Sequence, residues 1–166
     1  IRDIFAMGAR PVAILNSLRF GLPENKKNKY IINGVVAGIS HYGNCIGIPN
    51  VGGEVYFSKT YEGNPLVNAM CVGIIKNNKI MSAKADQPGD LLVLVGSETG
   101  RDGIHGASGL ASKTFKEQDE LRSAVQVGNP FLEKILIESC LEAIKLEEVV
   151  GLQDCGAAGI TSAAIE

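Results

Sequence analysis

Along this chain the apolar positions switch between a two-residue and a three-to-four-residue period, and the switches mark its elements. Residues 2–7 read as the end of a helix stopped by Gly8, followed by Ala9-Arg10-Pro11 and a strand over 12–18. Residues 22–29, with Pro23, Glu24, Asn25 and lysines at 26, 27 and 29, read as a solvated loop. Ile31, Ile32, Val35, Val36 and Ile39 then recur at helical spacing over 30–42, with Gly43 as the stop. Gly34 and Gly38, four apart, are expected to let that helix pack closely on a sheet. Residues 46–54 predict a short strand and a glycine turn. Residues 66–75 show little alternation and predict a strand covered on both faces.

The polar turn Lys76-Asn77-Asn78-Lys79 is the natural domain boundary. Beyond it, Pro88-Gly89-Asp90 leads into a predicted strand over 91–95 and a glycine-rich loop over 96–109. Residues 112–122 are polar without clear periodicity and read as a surface segment. Asn129-Pro130 is a helix start, a capping side chain followed by proline at the first helical position. That helix is expected to reach about Leu146, with Phe131, Leu132, Ile135, Leu136 and Ile144 inward. Glu133, Lys134, Glu138, Glu142 and Lys145 would face outward. A strand over 149–153 ends at Asp154, and 157–166 begin another helix. Strands and helices alternate throughout, so the class is mixed α/β (α+β).

Composition narrows the function classes. The chain has 166 residues, 45% hydrophobic and 20% charged, with a formal net charge of −2. It lacks the basic field that nucleic acid requires. No apolar run is long enough to span a bilayer, so neither nucleic acid nor membrane is an expected partner. Cys45, Cys71, Cys140 and Cys155 include no C-x-x-C pair, and only His41 and His105 could join them. Four scattered thiols in apolar segments fit reduced, buried cysteines in a cytoplasmic protein. Twenty glycines imply many close backbone approaches, as where N–H groups face a ligand.

Three runs put an acid beside glycine or at the edge of an apolar segment: Ile1-Arg2-Asp3, Thr99-Gly100-Arg101-Asp102-Gly103 and Leu152-Gln153-Asp154-Cys155-Gly156. That is how a fold presents carboxylates to magnesium and phosphate. Each run also has a plain structural reading. Asp154 serves equally as the N-cap of a following helix, and Arg2-Asp3 as members of a surface or buried ion pair. The 96–109 loop is neither a Walker A loop nor a Rossmann fingerprint. It is either a phosphate cradle or a tight loop locked by Arg101 and Asp102. His105 reads as a loop histidine. Gln126, in the apolar run Ala124-Val125-Gln126-Val127-Gly128, must find hydrogen bonds from backbone or ligand. No hydroxyl or thiol nucleophile has a visible acid–base partner, and no catalytic residue is assigned.

Taken together, five runs carry a resemblance. They are Arg2-Asp3 with Gly8-Ala9-Arg10-Pro11, Tyr42 to Glu54, Thr99 to Ala107, Gln126-Val127-Gly128-Asn129-Pro130-Phe131, and Gln153-Asp154-Cys155-Gly156-Ala157-Ala158-Gly159. In order and over essentially the whole chain, they resemble the small-type PurL family, the synthetase subunits of phosphoribosylformylglycinamidine synthase. That family shares a two-domain unit with aminoimidazole ribonucleotide synthetase and selenophosphate synthetase. The resemblance implies that residues 1–76 are the latter part of an ATP-binding domain like the PurM N-terminal one. Residues 77–166 would be the first part of a domain like the PurM C-terminal one.

The resemblance further implies an ATP-dependent ligase with Mg2+ and ATP as cofactors and formylglycinamide ribonucleotide as substrate. A glutaminase subunit and a small accessory subunit would be its partners. Carried over by position, Asp3 and Asp154 match magnesium ligands, and Arg2 and Gln126 match residues that contact the ribonucleotide. The family's catalytic histidine, its ATP-contacting tyrosine and lysine and a further metal-binding glutamate would lie before Ile1. Other substrate and nucleotide residues would lie after Glu166. The chain is therefore expected to be a piece of a longer enzyme and inactive alone. A sister enzyme on the same fold and a non-catalytic nucleotide-binding domain are the competing expectations. The runs at 99–107 and 126–131 argue against the sister enzymes.

Overall fold

The computed structural model describes residues 1–76, 78–85, 87–98, 127–156 and 159–165. Helix α1 (Arg2–Ala6) is a short turn ended by Met7 and by Gly8 at φ 83°, the stop expected from the sequence. Strand β1 (Arg10–Phe20) is longer at both ends than predicted, because each flank finds a partner: Arg10 pairs with Ile74 and Phe20 with Phe57. Its ladder with the antiparallel neighbour slips between Pro11 and Ala13, where proline has no N–H to donate.

Helix α2 (Lys26–Ile46) runs further than the sequence suggested at both ends. The lysine-rich stretch taken for a loop is its first turn, because the Asn25 side chain accepts from the Lys27 N–H at 2.9 Å and caps it. Gly43 does not end the helix. Gly47 does, in the left-handed region at φ 71°. Gly34 and Gly38 do not mediate close packing either, for a Cβ at either position would meet nothing within 4 Å.

The helix returns the chain to β2 (Asn50–Phe57), which lies parallel to β1. A parallel pair requires such a crossover. Gly52-Gly53, predicted as a turn, lie inside this strand. Gly53 has φ 144°, and a Cβ there would sit 1.9 Å from the Asn16 carbonyl oxygen, so only glycine lets the two strands approach. A 3-10 turn (Lys59–Tyr61) leads to β3 (Leu66–Ile74), antiparallel to β1, giving a mixed sheet of order β2-β1-β3.

The predicted strand at 66–75 is real, but it is an edge and is not covered on both faces. Leu66, Val67, Met70 and Ile74 are 44–68% exposed. An unbroken apolar run cannot distinguish a covered centre from an apolar edge. Burial concentrates on the central strand, where Ile14, Asn16, Leu18 and Phe20 alternate inward. Asn16, between Gly53 and Ala69, has no hydrogen-bond partner for either side-chain amide atom among the described residues.

In the second half, residues 91–95 and 149–153, predicted as strands, form no regular element and join no sheet among the described residues. Helix α3 (Pro130–Ala143) begins as predicted, with Asn129 Oδ1 accepting from the Leu132 N–H at 3.0 Å. Its inward face is rotated from the expected one. Ile137, Cys140 and Leu141 are buried, with Leu136 and Ile144 half-buried beside them, while Phe131 is 72% exposed. Helix α4 (Ile160–Ile165) closes the described chain.

The core belongs to both halves. Phe5, Ile14, Ile46 and Ile48 from the first pack with Ile137, Cys140 and Leu141 from α3, and Tyr42 and Leu152 border the cluster. Ile137→Ala is expected to cost about 2–5 kcal/mol, because it leaves a cavity at the centre of this cluster. Phe131→Ala is expected to cost less than about 1 kcal/mol. Urea unfolding midpoints of the two variants measure the difference, and equal losses would contradict the observed face.

Candidate functional site

Asp3 lies in the first turn of α1, on the exposed side of a helix whose Phe5 and Ala6 are buried. Residues two apart on a helix point in different directions, so anchoring Phe5 in the core turns Asp3 away from it. Asp154 lies two residues after Leu152, which is half-buried against the same core. The helix that follows starts only at Ile160, so Asp154 does not cap it. That removes the plain structural reading of this acid.

Three segments converge around the two carboxylates. The Met81 N–H donates to the Met7 carbonyl at 3.0 Å, tying residues 81–83 to the end of α1. Gly151 presses on the other side of that segment, where a Cβ would lie 2.3 Å from the Lys84 carbonyl oxygen. A small cleft of about 210 Å³ results, lined by Asp3, Ala6, Met7, Met81, Ala83, Leu152, Gln153 and Asp154. Neither side-chain carboxylate has a hydrogen bond or ion pair among the described residues. A larger hollow of about 280 Å³ between α2 and the sheet, lined by residues such as Val36, Ile39, Ser40 and Asn44, holds no ionisable group.

No cluster of three or more His, Cys, Asp or Glu occurs among the described residues. Two unspent carboxylates still fit magnesium, which takes one or two protein oxygens and fills its octahedron with water and phosphate. They do not make a zinc site, which needs a dedicated set of nitrogen or sulfur ligands.

Two polar ties cross from the first half of the chain to α3. The Tyr42 hydroxyl donates to Glu133 Oε2. Burial, and then that carboxylate, push the Tyr42 phenol above its usual range, while the Arg2 charge nearby pulls the other way. Arg10 donates to both oxygens of Glu138, at 2.9 and 2.8 Å, and Lys134 Nζ donates to Oε1 at 2.8 Å. These two cations hold the Glu138 carboxyl down at about 2. The periodicity had placed Glu133 and Glu138 on an outward face, so their long-range partners were missed. Only the four-residue Lys134–Glu138 spacing was readable. On the sheet, Arg19 pairs with Glu54 and covers the Tyr56 ring at 5.8 Å. Of the four cysteines expected to be buried, Cys140 is; Cys71 and Cys155 are half-buried and Cys45 is exposed near the end of α2. Burial pushes up the Cys71 thiol, the chain's N-terminal charge opposes this, and the carboxylates of Glu133 and Asp3 add to it.

Of the residues singled out from sequence, Asp3 and Asp154 thus share one cleft, and Arg2 lies near Tyr42. Gln126, the loop Thr99 to Gly103 and His105 lie outside the described residues.

The family described as AIR synthase related protein, N-terminal domain, matches residues 1–75, and the corresponding C-terminal domain matches 87–166. The chain belongs to this AIR synthase related family, and its fold is the family's mixed α/β architecture. It is 57% identical over its whole length to the phosphoribosylformylglycinamidine synthase subunit PurL of Thermoanaerobacter sp. (strain X514), of which it spans 23%. Among solved structures, T. maritima PurL complexed with FGAR matches 98% of the chain and 26% of its own length. The match has a TM-score of 0.84 and 47% identity. T. maritima PurL complexed with ATP matches with a TM-score of 0.75 and 43% identity, over 98% of this chain and 23% of that one. The chain spans about a quarter of the length of these relatives.

The Glu138 ties set an acid dependence of stability. A carboxyl whose folded value is depressed stabilises fully above its ordinary value of 4.5, and loses that contribution as pH falls toward about 2. Because both partners are about half exposed, solvent screening limits the effect to about 0.5–1 kcal/mol. Glu138→Gln is expected to remove this component between pH 4.5 and 2 and leave other acid effects in place. Urea midpoints measured across that window check it. An identical pH slope in the variant would show that the pair contributes nothing.

Proposed function

We propose that the chain is part of an ATP-dependent ligase that converts formylglycinamide ribonucleotide to formylglycinamidine ribonucleotide in purine biosynthesis. The observation carrying this reading is the 57% identity over every residue of the chain to a PurL subunit. The convergence of Asp3 and Asp154 on one cleft supports it. Residues 1–76 are the latter part of the ATP-binding domain and 77–166 the first part of the following α/β domain. The family matches at 1–75 and 87–166 support a boundary between them.

In the reaction, ATP transfers a phosphoryl group to the amide oxygen of the substrate. Ammonia then adds at that carbon, and phosphate leaves with the oxygen to give the amidine. Catalysis of this kind is mostly positioning and charge neutralisation. Mg2+, when bound, supplies neutralisation of the phosphate oxygens. Asp3 and Asp154, which line one cleft, would hold the metal. Arg2 binds an anionic part of the ribonucleotide as a charge-assisted donor. Gln126 supplies hydrogen bonds to the same substrate. The 166 residues alone hold part of the site and are inactive without the remaining sequence of the parent.

The ammonia comes from glutamine through a glutaminase subunit, with a small accessory subunit completing the complex. No helix among the described residues is long and apolar enough to cross a membrane, which agrees with a cytoplasmic enzyme.

In the full-length protein, Asp3→Asn and Asp154→Asn are each expected to lower turnover about 100-fold or more at limiting Mg2+, with partial recovery at high Mg2+. Steady-state rates across a magnesium titration measure this. Unchanged rates at limiting metal would remove both residues from the metal site.

A further inference from the structure

Tyr42 and Glu133 belong to different family segments, and neither has a role in the proposed chemistry. Their contact is nevertheless a part-buried polar link between the two segments. Tyr42 lies in the last stretch of α2, where its ring borders the core and its hydroxyl reaches across to the first turn of α3. Glu133 is one turn into α3, just after the Asn129 cap. The backbone entering that helix rests on the same ring, for a Cβ at Gly128 would lie 3.3 Å from Tyr42 Cε2. Gly128 stands two residues after Gln126 in sequence. Ile1, the neighbour of Arg2 in sequence, borders the same core cluster as Tyr42, and the Arg2 charge acts on the Tyr42 hydroxyl. One tyrosine therefore touches the approach to α3 with its ring, reaches the first turn of α3 with its hydroxyl, and borders the same core cluster as the residue before Arg2.

We propose that Tyr42 and Glu133 are positioning residues for the ribonucleotide substrate, holding the entry to α3 at a fixed distance from Arg2. The proposal rests on the reading of Arg2 and Gln126 as substrate contacts. Its physical content is a division of labour. The apolar contacts of Ile137, Cys140 and Leu141 hold α3 against the first half. They are non-directional, so they leave its slide and rotation loosely set. A hydroxyl-to-carboxylate bond is directional and shielded here, and it fixes the register of the first turn. The Arg10–Glu138 pair acts at the other end of the contact but is half exposed on both sides, so it adds less. Glu133, in the first turn of α3, is the acid of the two that holds the entry to the helix.

The test uses the full-length protein and three variants. Tyr42→Phe removes the hydroxyl and keeps the ring. Glu133→Gln keeps an oxygen that accepts the same bond, and Glu133→Ala removes it. Tyr42→Phe and Glu133→Ala are expected to raise the KM for formylglycinamide ribonucleotide about tenfold, the size of one lost bond to a charged group. The KM for ATP should hold within about twofold. Glu133→Gln should recover most of the loss. Thermal midpoints should move little, because the ring and the apolar contacts remain.

If both KM values rise together with a fall in Tm, the pair is merely structural and the proposal is overturned. Arg2→Ala in the same assay separates the proposal from the reading beneath it. A raised ribonucleotide KM for Arg2→Ala, with none for Tyr42→Phe or Glu133→Ala, overturns the positioning role alone. No change in any of these variants overturns the substrate reading of Arg2 and the proposal with it.

Discussion

The contact on which the structure depends is the burial of Ile137 from α3 among Phe5, Ile14 and Ile46. Ile46 and Ile137 are the most enclosed aliphatic side chains, at 0% and 2% exposure. Each such side chain contributes roughly 1.5–3 kcal/mol on burial, more than any exposed ion pair here. The cluster also lies just beneath the site. Phe5 is two residues after Asp3, and the half-buried Leu152 is two residues before Asp154. Anchoring one apolar residue in each segment leaves its neighbouring acid projecting outward. The acids are far apart in sequence and share a cleft because their apolar neighbours share a core.

The polar ties are best understood against that apolar contact. Arg10–Glu138 and Lys134–Glu138 are half exposed and contribute modestly to stability. Tyr42–Glu133 is part-buried, so its direction is better defined than that of the exposed pairs. Hydrophobic burial holds α3 in place, and the directional bonds choose its orientation.

How much of this was legible in the sequence depended on whether the signal was local. Asn129-Pro130 named a helix start because cap and proline act within one turn, and Gly8 marked the stop of α1 for the same reason. Gly43 misled, because a helical glycine is tolerated when tertiary contacts continue the helix. The true stop required the left-handed conformation, which Gly47 adopts and the helical Gly43 does not. Gly53 read as a turn because glycine is ambiguous between a bend and a close strand approach, and the deciding neighbour is the Asn16 carbonyl on another strand. The rotated face of α3 has the same origin. Phe131 and Ile135 fit an apolar stripe as well as Ile137 and Cys140 do, and the residues across the contact select between them.

At the site, the individual residue types were legible and their convergence was not. Asp154 beside a glycine run has two meanings in sequence. The late start of α4 at Ile160 removes the capping one, and the cleft supplies the other a neighbour in Asp3. Glu133 had no signal at all, since an acid in the first turn of a helix is already accounted for by the helix dipole. Its partner comes from a residue 91 positions away. A carboxylate that satisfies a local rule can thus serve a distant contact without leaving any trace in the pattern. Such contacts are therefore concentrated where two segments dock, because only there does one side chain meet a local and a long-range requirement together.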